Sequence, residues 1–142
     1  MINIKPLKAF TDNYIWLLET NEEVSVVDPG DAKPVLDYLS KTNKNIRDIF
    51  ITHHHFDHTA GVPELENIIS GSIYGPKNSY ELINEKVTQG DTLSSLGIKF
   101  EIIEVPGHTL DHIAFYNEEN NILFCGDTLF AGGCGRVFEG TF

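Results

Sequence analysis

Thr52-His53-His54-His55-Phe56-Asp57-His58 follows directly on residues 46–51, a run that reads as a strand. Four ligand-type side chains, His53, His55, Asp57 and His58, fall within six positions at the end of that strand. Polar groups gathered there without partners would be costly to bury. Imidazole and carboxylate together make sense of the cluster, because they are the natural ligands of divalent cations. His53 and His55 are two residues apart, so an extended backbone points both to one side and lets both bind a single ion. His108 can arrive from elsewhere as that ion's third ligand. Asp57 and His58 would serve a second ion, provided the chain turns there. Asp127, in Cys125-Gly126-Asp127-Thr128, suits a bridge, since one carboxylate can give an oxygen to each ion. Two ions a few ångströms apart can share a hydroxide and lower its pKa toward neutrality, which makes a nucleophile without a side-chain base. Nitrogen and oxygen ligands accept zinc, iron or manganese, with zinc the first expectation. His54 should face away from its neighbours, and His112 is read as a core or hydrogen-bonding residue.

The bulk of the chain is ordinary for a globular domain. Its 142 residues fit one domain over 1–142, with 41% hydrophobic and 22% charged residues. Ten basic against 21 acidic residues give a net charge of −11. There is no basic stripe of the kind a nucleic-acid groove needs. An anionic substrate would be repelled by that charge and would need metal ions or a local cation to hold it. No apolar run approaches the roughly 20 residues of a membrane helix. Residues 1–10 carry scattered charge without an apolar stretch, so cytoplasm is the expected location. The two cysteines lack zinc-finger or redox spacing: Cys125 reads as a small buried hydrophobe and Cys134 as a loop thiol. A disulfide between them is not expected in a reducing compartment.

Strands alternate with helices along the chain. Residues 24–28 read as a buried strand ended by Pro29-Gly30, and Asp31 is a plausible N-cap. Ala32, Val35, Leu36 and Leu39 then share one helical face, with Pro34 in the first turn, where its missing N–H costs little. Val62, Leu65, Ile68 and Ile69 predict a second helix, and a shorter third is expected after Pro76. Residues 98–105, 112–116 and 122–125 read as strands, with a hairpin-like turn over 117–121. Two strand ends thus run into ligand-type residues, the arrangement by which a packed sheet holds a reactive site. The glycine-rich stretch over 131–135 could approach a ligand closely.

His53-His54-His55-Phe56-Asp57-His58 matches the H-x-H-x-D-H signature of the metallo-β-lactamase superfamily. Val26-Val27-Asp28-Pro29-Gly30, Pro106-Gly107-His108-Thr109 and Gly126-Asp127 fall in that superfamily's order. The chain resembles glyoxalase II, the hydroxyacylglutathione hydrolases, most closely. Phe10-Thr11-Asp12-Asn13-Tyr14-Ile15-Trp16 and the segment from Leu129 to Thr141 carry that narrower likeness. The resemblance implies an α/β fold, the αββα sandwich, with metals at one edge. It implies that His53, His55 and His108 hold one ion, that Asp57 and His58 hold the other, and that Asp127 bridges. Asp57 and Asp127 would then be catalytic carboxylates as well as ligands, and Asp28 would orient the cluster. Arg136 and Phe138 would meet the glutathione moiety. The implied reaction is hydrolysis of an acylglutathione thioester such as S-lactoylglutathione to lactate and glutathione, by a hydroxide shared between the ions. A thiol with a pKa near 8.5 needs little help to leave.

Members of that family continue beyond the Glu139-Gly140-Thr141 segment, with a further histidine ligand and a helical glutathione-binding region. The expectation for 1–142 is therefore an N-terminal portion with an incomplete second sheet. An exposed apolar face or edge there would favour self-association or pairing with a second polypeptide. An inactive or partner-dependent metal-binding portion, or another hydrolase of the superfamily, are the alternative readings.

Overall fold

The structure, a computed structural model, describes residues 2–9, 13–53, 56–77, 80–104 and 112–124, with backbone only at Ala9, Asn13, Phe56 and Asp57. Two sheets lie face to face. In the first, β1 (Asn3–Ala9), β2 (Asn13–Glu19) and β3 (Glu23–Val27) pair antiparallel. β4 (Asn45–Phe50), β5 (Ile73–Pro76) and β6 (Glu85–Val87) then continue from β3 in parallel, in sequential order. The second sheet is antiparallel throughout, ordered β10-β9-β8-β7. Its strands are β7 (Thr92–Ser95), β8 (Ile98–Glu104), β9 (Ile113–Asn117) and β10 (Ile122–Phe124).

The first helix forms where its signals predict. Helix α1 (Ala32–Thr42) starts at Asp31, whose side chain accepts from Lys33 N–H. It ends at Asn43, in the left-handed region with φ 59°, whose N–H bonds Leu39 C=O. Its buried face is Ala32 and Val35, flanked by Tyr38 and Leu39, so Leu36 lies off the contact and is 37% exposed. The second helix is shorter than its periodicity predicts. After α2 (Phe56–Thr59), α3 (Val62–Leu65) tightens into a 3₁₀ turn over Glu66–Ile68, and Ile69 is already extended. The third helix is absent among the described residues after Pro76. Instead, Asn84 bonds both backbone groups of Ile73, through its side-chain oxygen and its own N–H. That bonding holds the 80–84 turn against β5, and β6 follows at once.

Alternation along β2, β3 and β4 gives the first sheet two apolar faces. Ile15, Leu17, Val24, Val26, Ile49 and Ile51 pack against Val35 of α1 and Val62 and Leu65 of α3. Leu18, Val27 and Phe50 face the second sheet and meet Phe100, Ile102, Phe115 and Phe124. Phe50 is the centre of that layer: it stacks on Phe115 at 4.8 Å and meets Phe100 edge-on at 5.3 Å. The helix–sheet–sheet order matches the first three layers of an αββα sandwich. Among the described residues, the most exposed large hydrophobics are Ile4, Tyr14, Leu36 and Ile68, all outside the second sheet. On that sheet's outer face Ala114 and Leu123 are buried, so the bare apolar face expected there does not appear at these positions.

Candidate metal centre

Parallel pairing of β3 with β4 sets their C-terminal ends side by side and so brings Asp28 next to Thr52 and His53. Asp28 has φ 51°, a left-handed conformation that aspartate tolerates, and it turns the chain out of β3 into Pro29. Its N–H is tied to Phe50 C=O at 2.8 Å, which fixes the side chain relative to β4. Asp28, Thr52, His53 and His58 are all buried.

Three donors converge on the Asp28 carboxylate. Thr52 N–H donates to Oδ1 at 2.8 Å, and the Thr52 hydroxyl donates to Oδ2 at 2.6 Å. His58 Nδ1 lies 3.1 Å from Oδ2, and a carboxylate can only accept, so His58 carries its proton on Nδ1. The same logic reaches His53. The Thr52 hydroxyl has given its hydrogen to Asp28, so at 2.9 Å it accepts from His53 Nδ1. Both imidazoles are thereby set in one tautomer, and Nε2 is the nitrogen each offers to a cation. A carboxylate or hydroxyl holding Nδ1 while Nε2 faces a metal is the usual way ligating histidines are oriented. Ligand-type atoms of Asp28, His53 and His58 lie within 4.8 Å of one another, and the two rings are 4.3 Å apart. Both Asp28 oxygens accept hydrogen bonds, Oδ1 from Thr52 N–H and Oδ2 from the Thr52 hydroxyl and His58. This donor set fits a divalent cation site.

Asp57 and His58, expected from the sequence to serve a second ion if the chain turns there, lie on the helical turn of α2. His55, His108, Asp127, Arg136 and Phe138 lie outside the described residues, as do His54, both cysteines and the Asp57 side chain. Thr52 and Gly61 shape the site without having been singled out in the sequence, and His112, read there as a core or hydrogen-bonding residue, packs against it. Thr52 links Asp28 to His53, as described. Gly61 donates its N–H to Pro29 C=O at 2.8 Å, and a Cβ there would sit 2.6 Å from that oxygen and from Ala32 N. The turn after His58 therefore lies directly on the turn after Asp28. The spacing of Gly61 three residues past His58 was the visible signal. His112, fully buried, stacks on His53 at 4.6 Å with 18° between the rings. Nothing in its local sequence marked that contact.

The fold and this site together define a class: the chain belongs to the metallo-beta-lactamase superfamily, whose family model matches residues 10–140. A hydroxyacylglutathione hydrolase of Pseudoalteromonas translucida (strain TAC 125) is 51% identical over 148 residues, which cover 99% of this chain and 56% of that one. The chain thus spans about half the length of the curated relatives it matches. Among solved structures, the BLEG-1 B3 metallo-beta-lactamase superposes with a TM-score of 0.79 at 21% identity, over 94% of this chain and 76% of that one, a likeness of fold. TTHA1623 in a di-iron-bound form gives 0.71 at 26% identity, over 93% of this chain and 76% of that one. No helix among the described residues is long and apolar enough to cross a membrane.

Proposed function

We propose that this chain carries the metal-binding part of a hydroxyacylglutathione hydrolase, which cleaves acylglutathione thioesters such as S-lactoylglutathione to the hydroxy acid and glutathione. The observation that carries the reading is the pair of imidazoles anchored through Nδ1 by Thr52 and Asp28. The 51% identical relative of that name narrows the substrate class. His53, His55 and His108 would hold one divalent ion and Asp57 and His58 a second, with Asp127 shared. Zinc is the first expectation, and the di-iron form of a structural neighbour favours iron as the second. Such ions supply an acidified water and polarise the thioester carbonyl.

The chain's own residues supply the rest. Asp28 and Thr52 hold the tautomers, and their burial keeps that network out of competition with water. Arg136 would provide the local cation that an anionic glutathione moiety needs against a net charge of −11. Phe138 would pack beside it. The departing thiol needs no dedicated acid, consistent with a cluster made of ligands. Residues 1–142 form one metallo-β-lactamase-like domain in this reading. A cytoplasmic location accords with a substrate built on a reduced thiol. Self-association would run through β7 or β10, the edge strands of the second sheet among the described residues.

Elemental analysis paired with a hydrolysis panel tests the reading. Up to two equivalents of metal should bind, His55→Ala should lose one, and lactoylglutathione should be cleaved in preference to β-lactams and lactones. A chain that takes up no metal, or one that prefers a β-lactam, would overturn it.

A further inference from the structure

We infer that His112, which is not among the six residues proposed as ligands, is a positioning residue that fixes the plane of the His53 ring. Among the described residues, three groups lie against that imidazole. Thr52 Oγ1 takes its Nδ1 proton at 2.9 Å, His58 lies tilted at 47° on one contact, and His112 lies nearly parallel at 18°. A hydrogen bond tolerates a broad range of ring tilts. A face-to-face neighbour at 4.6 Å does not, because tilting either ring drives its edge into the other. The Nδ1 bond therefore chooses which nitrogen faces the ion, and the stack chooses where that nitrogen points.

The platform is itself in register with the site. His112 immediately precedes β9, and the next residue, Ile113, donates its N–H to Thr52 C=O at 3.0 Å. One residue, Thr52, thus receives the second sheet through its carbonyl and His53 through its hydroxyl. His112 is 1% exposed, so its ring has no room to swing away. Through it, docking of the second sheet sets the aim of a ligand carried by the first.

The inference rests on the reading of His53 as a ligand, and the test separates the two. Zinc affinity is measured by chelator competition on the unsubstituted chain, His112→Phe and His112→Leu, with the metal-free thermal midpoint followed alongside. Phe keeps a flat face and Leu keeps buried bulk without one. Phe should bind zinc within about twofold of the unsubstituted chain, while Leu weakens binding roughly three- to tenfold, the scale of an aromatic pair. If Phe is too bulky to fold, the planar amide of His112→Gln takes its place with the same expectation. Equal affinity in all variants overturns the inference alone. Equal loss in Phe and Leu, with one metal equivalent gone, makes His112 a ligand and also overturns it. No zinc uptake by the unsubstituted chain sinks the ligand reading instead, and this inference with it.

Discussion

Thr52 is bound twice to Asp28, its backbone N–H to Oδ1 at 2.8 Å and its hydroxyl to Oδ2 at 2.6 Å. The hydroxyl is the only atom of that pair that also reaches His53. Thr52→Val keeps the shape and the N–H bond but removes the acceptor of His53 Nδ1. Metal affinity should fall about 10- to 100-fold, the usual effect of losing an outer partner of a ligating histidine. The metal-free chain should lose about 1–3 kcal/mol of stability. Thr52→Ser restores the oxygen and should recover most of the affinity. Unchanged chelator competition in the valine variant would remove Thr52 from the site.

Gly61 tests how the two turns are clamped. A Cβ there meets Pro29 C=O and Ala32 N at 2.6 Å, both rigid backbone atoms. Gly61→Ala must push the turn after His58 away from the Asp28 turn and weaken the Gly61 N–H bond to Pro29. Overpacking of this kind costs about 1–3 kcal/mol, occasionally more. Urea unfolding should show a lowered midpoint, and metal affinity should fall with it because His58 moves relative to Asp28. An alanine variant of wild-type midpoint would mean the turns are not clamped here.

Local signals in the sequence served best where local chemistry decides. Asp31 and Asn43 mark the two ends of α1 because capping is a short-range event. The histidine cluster marks the end of β4, and Asp28 the end of β3, for the same reason. The edge strand β1 and its neighbour β2 carry no clear strand signal in the sequence. Polar residues such as Asn3, Lys5 and Lys8 hide the alternation of β1, and its identity comes from pairing with β2. The short strands β5, β6 and β7 are also made by their neighbours rather than by propensity. At the site, Asp28 and His58 were legible as types in a pattern. The His112 stack was not, since it joins residues 59 positions apart across two sheets.

A closed ring of hydrogen bonds ties the sheets together away from the metal centre. Asp48 N–H donates to Ser25 Oγ, Ser25 to Ser95 Oγ, and Ser95 back to Asp48 Oδ2, at 3.2, 2.6 and 2.6 Å. Ser72 N–H completes the carboxylate at Oδ1. All three ring members are buried, and Ser95 belongs to β7 while Ser25 and Asp48 belong to β3 and β4. Ser95→Ala and Asp48→Ala should each destabilise by about 1–3 kcal/mol, because each leaves buried polar partners behind. In the double variant the costs should fall short of their sum by about 0.5–3 kcal/mol. Strict additivity in urea unfolding would show that the ring does not act as a unit. Metal affinity should be untouched in all three variants.

Stability should depend on pH through the Tyr38–Glu19 anchor of α1. Burial pushes the Tyr38 hydroxyl up to about 12, helped by its bond to Glu19 at 2.5 Å and by that carboxylate's charge. Burial also works against the charge on Glu19. The hydrogen bonds from Lys44 at 2.8 Å and from Tyr38 outweigh it, however, and hold the carboxyl below its ordinary value. The signs differ on the two sides. Tyr38 is neutral in both states below about pH 10, and its contribution is then complete. As pH rises from about 10 toward about 12 the unfolded chain releases the proton while the fold retains it, so stability is lost across that window. Glu19 acts oppositely: its contribution is present above the unfolded carboxylate value near 4.3 and is lost as pH falls through the lower folded value. Tyr38→Phe should flatten the alkaline decline in a urea-midpoint series, and Lys44→Met should shrink the acid-side one. Tyr74 and Tyr80 are also raised by burial, so a decline that survives in Tyr38→Phe would belong to them.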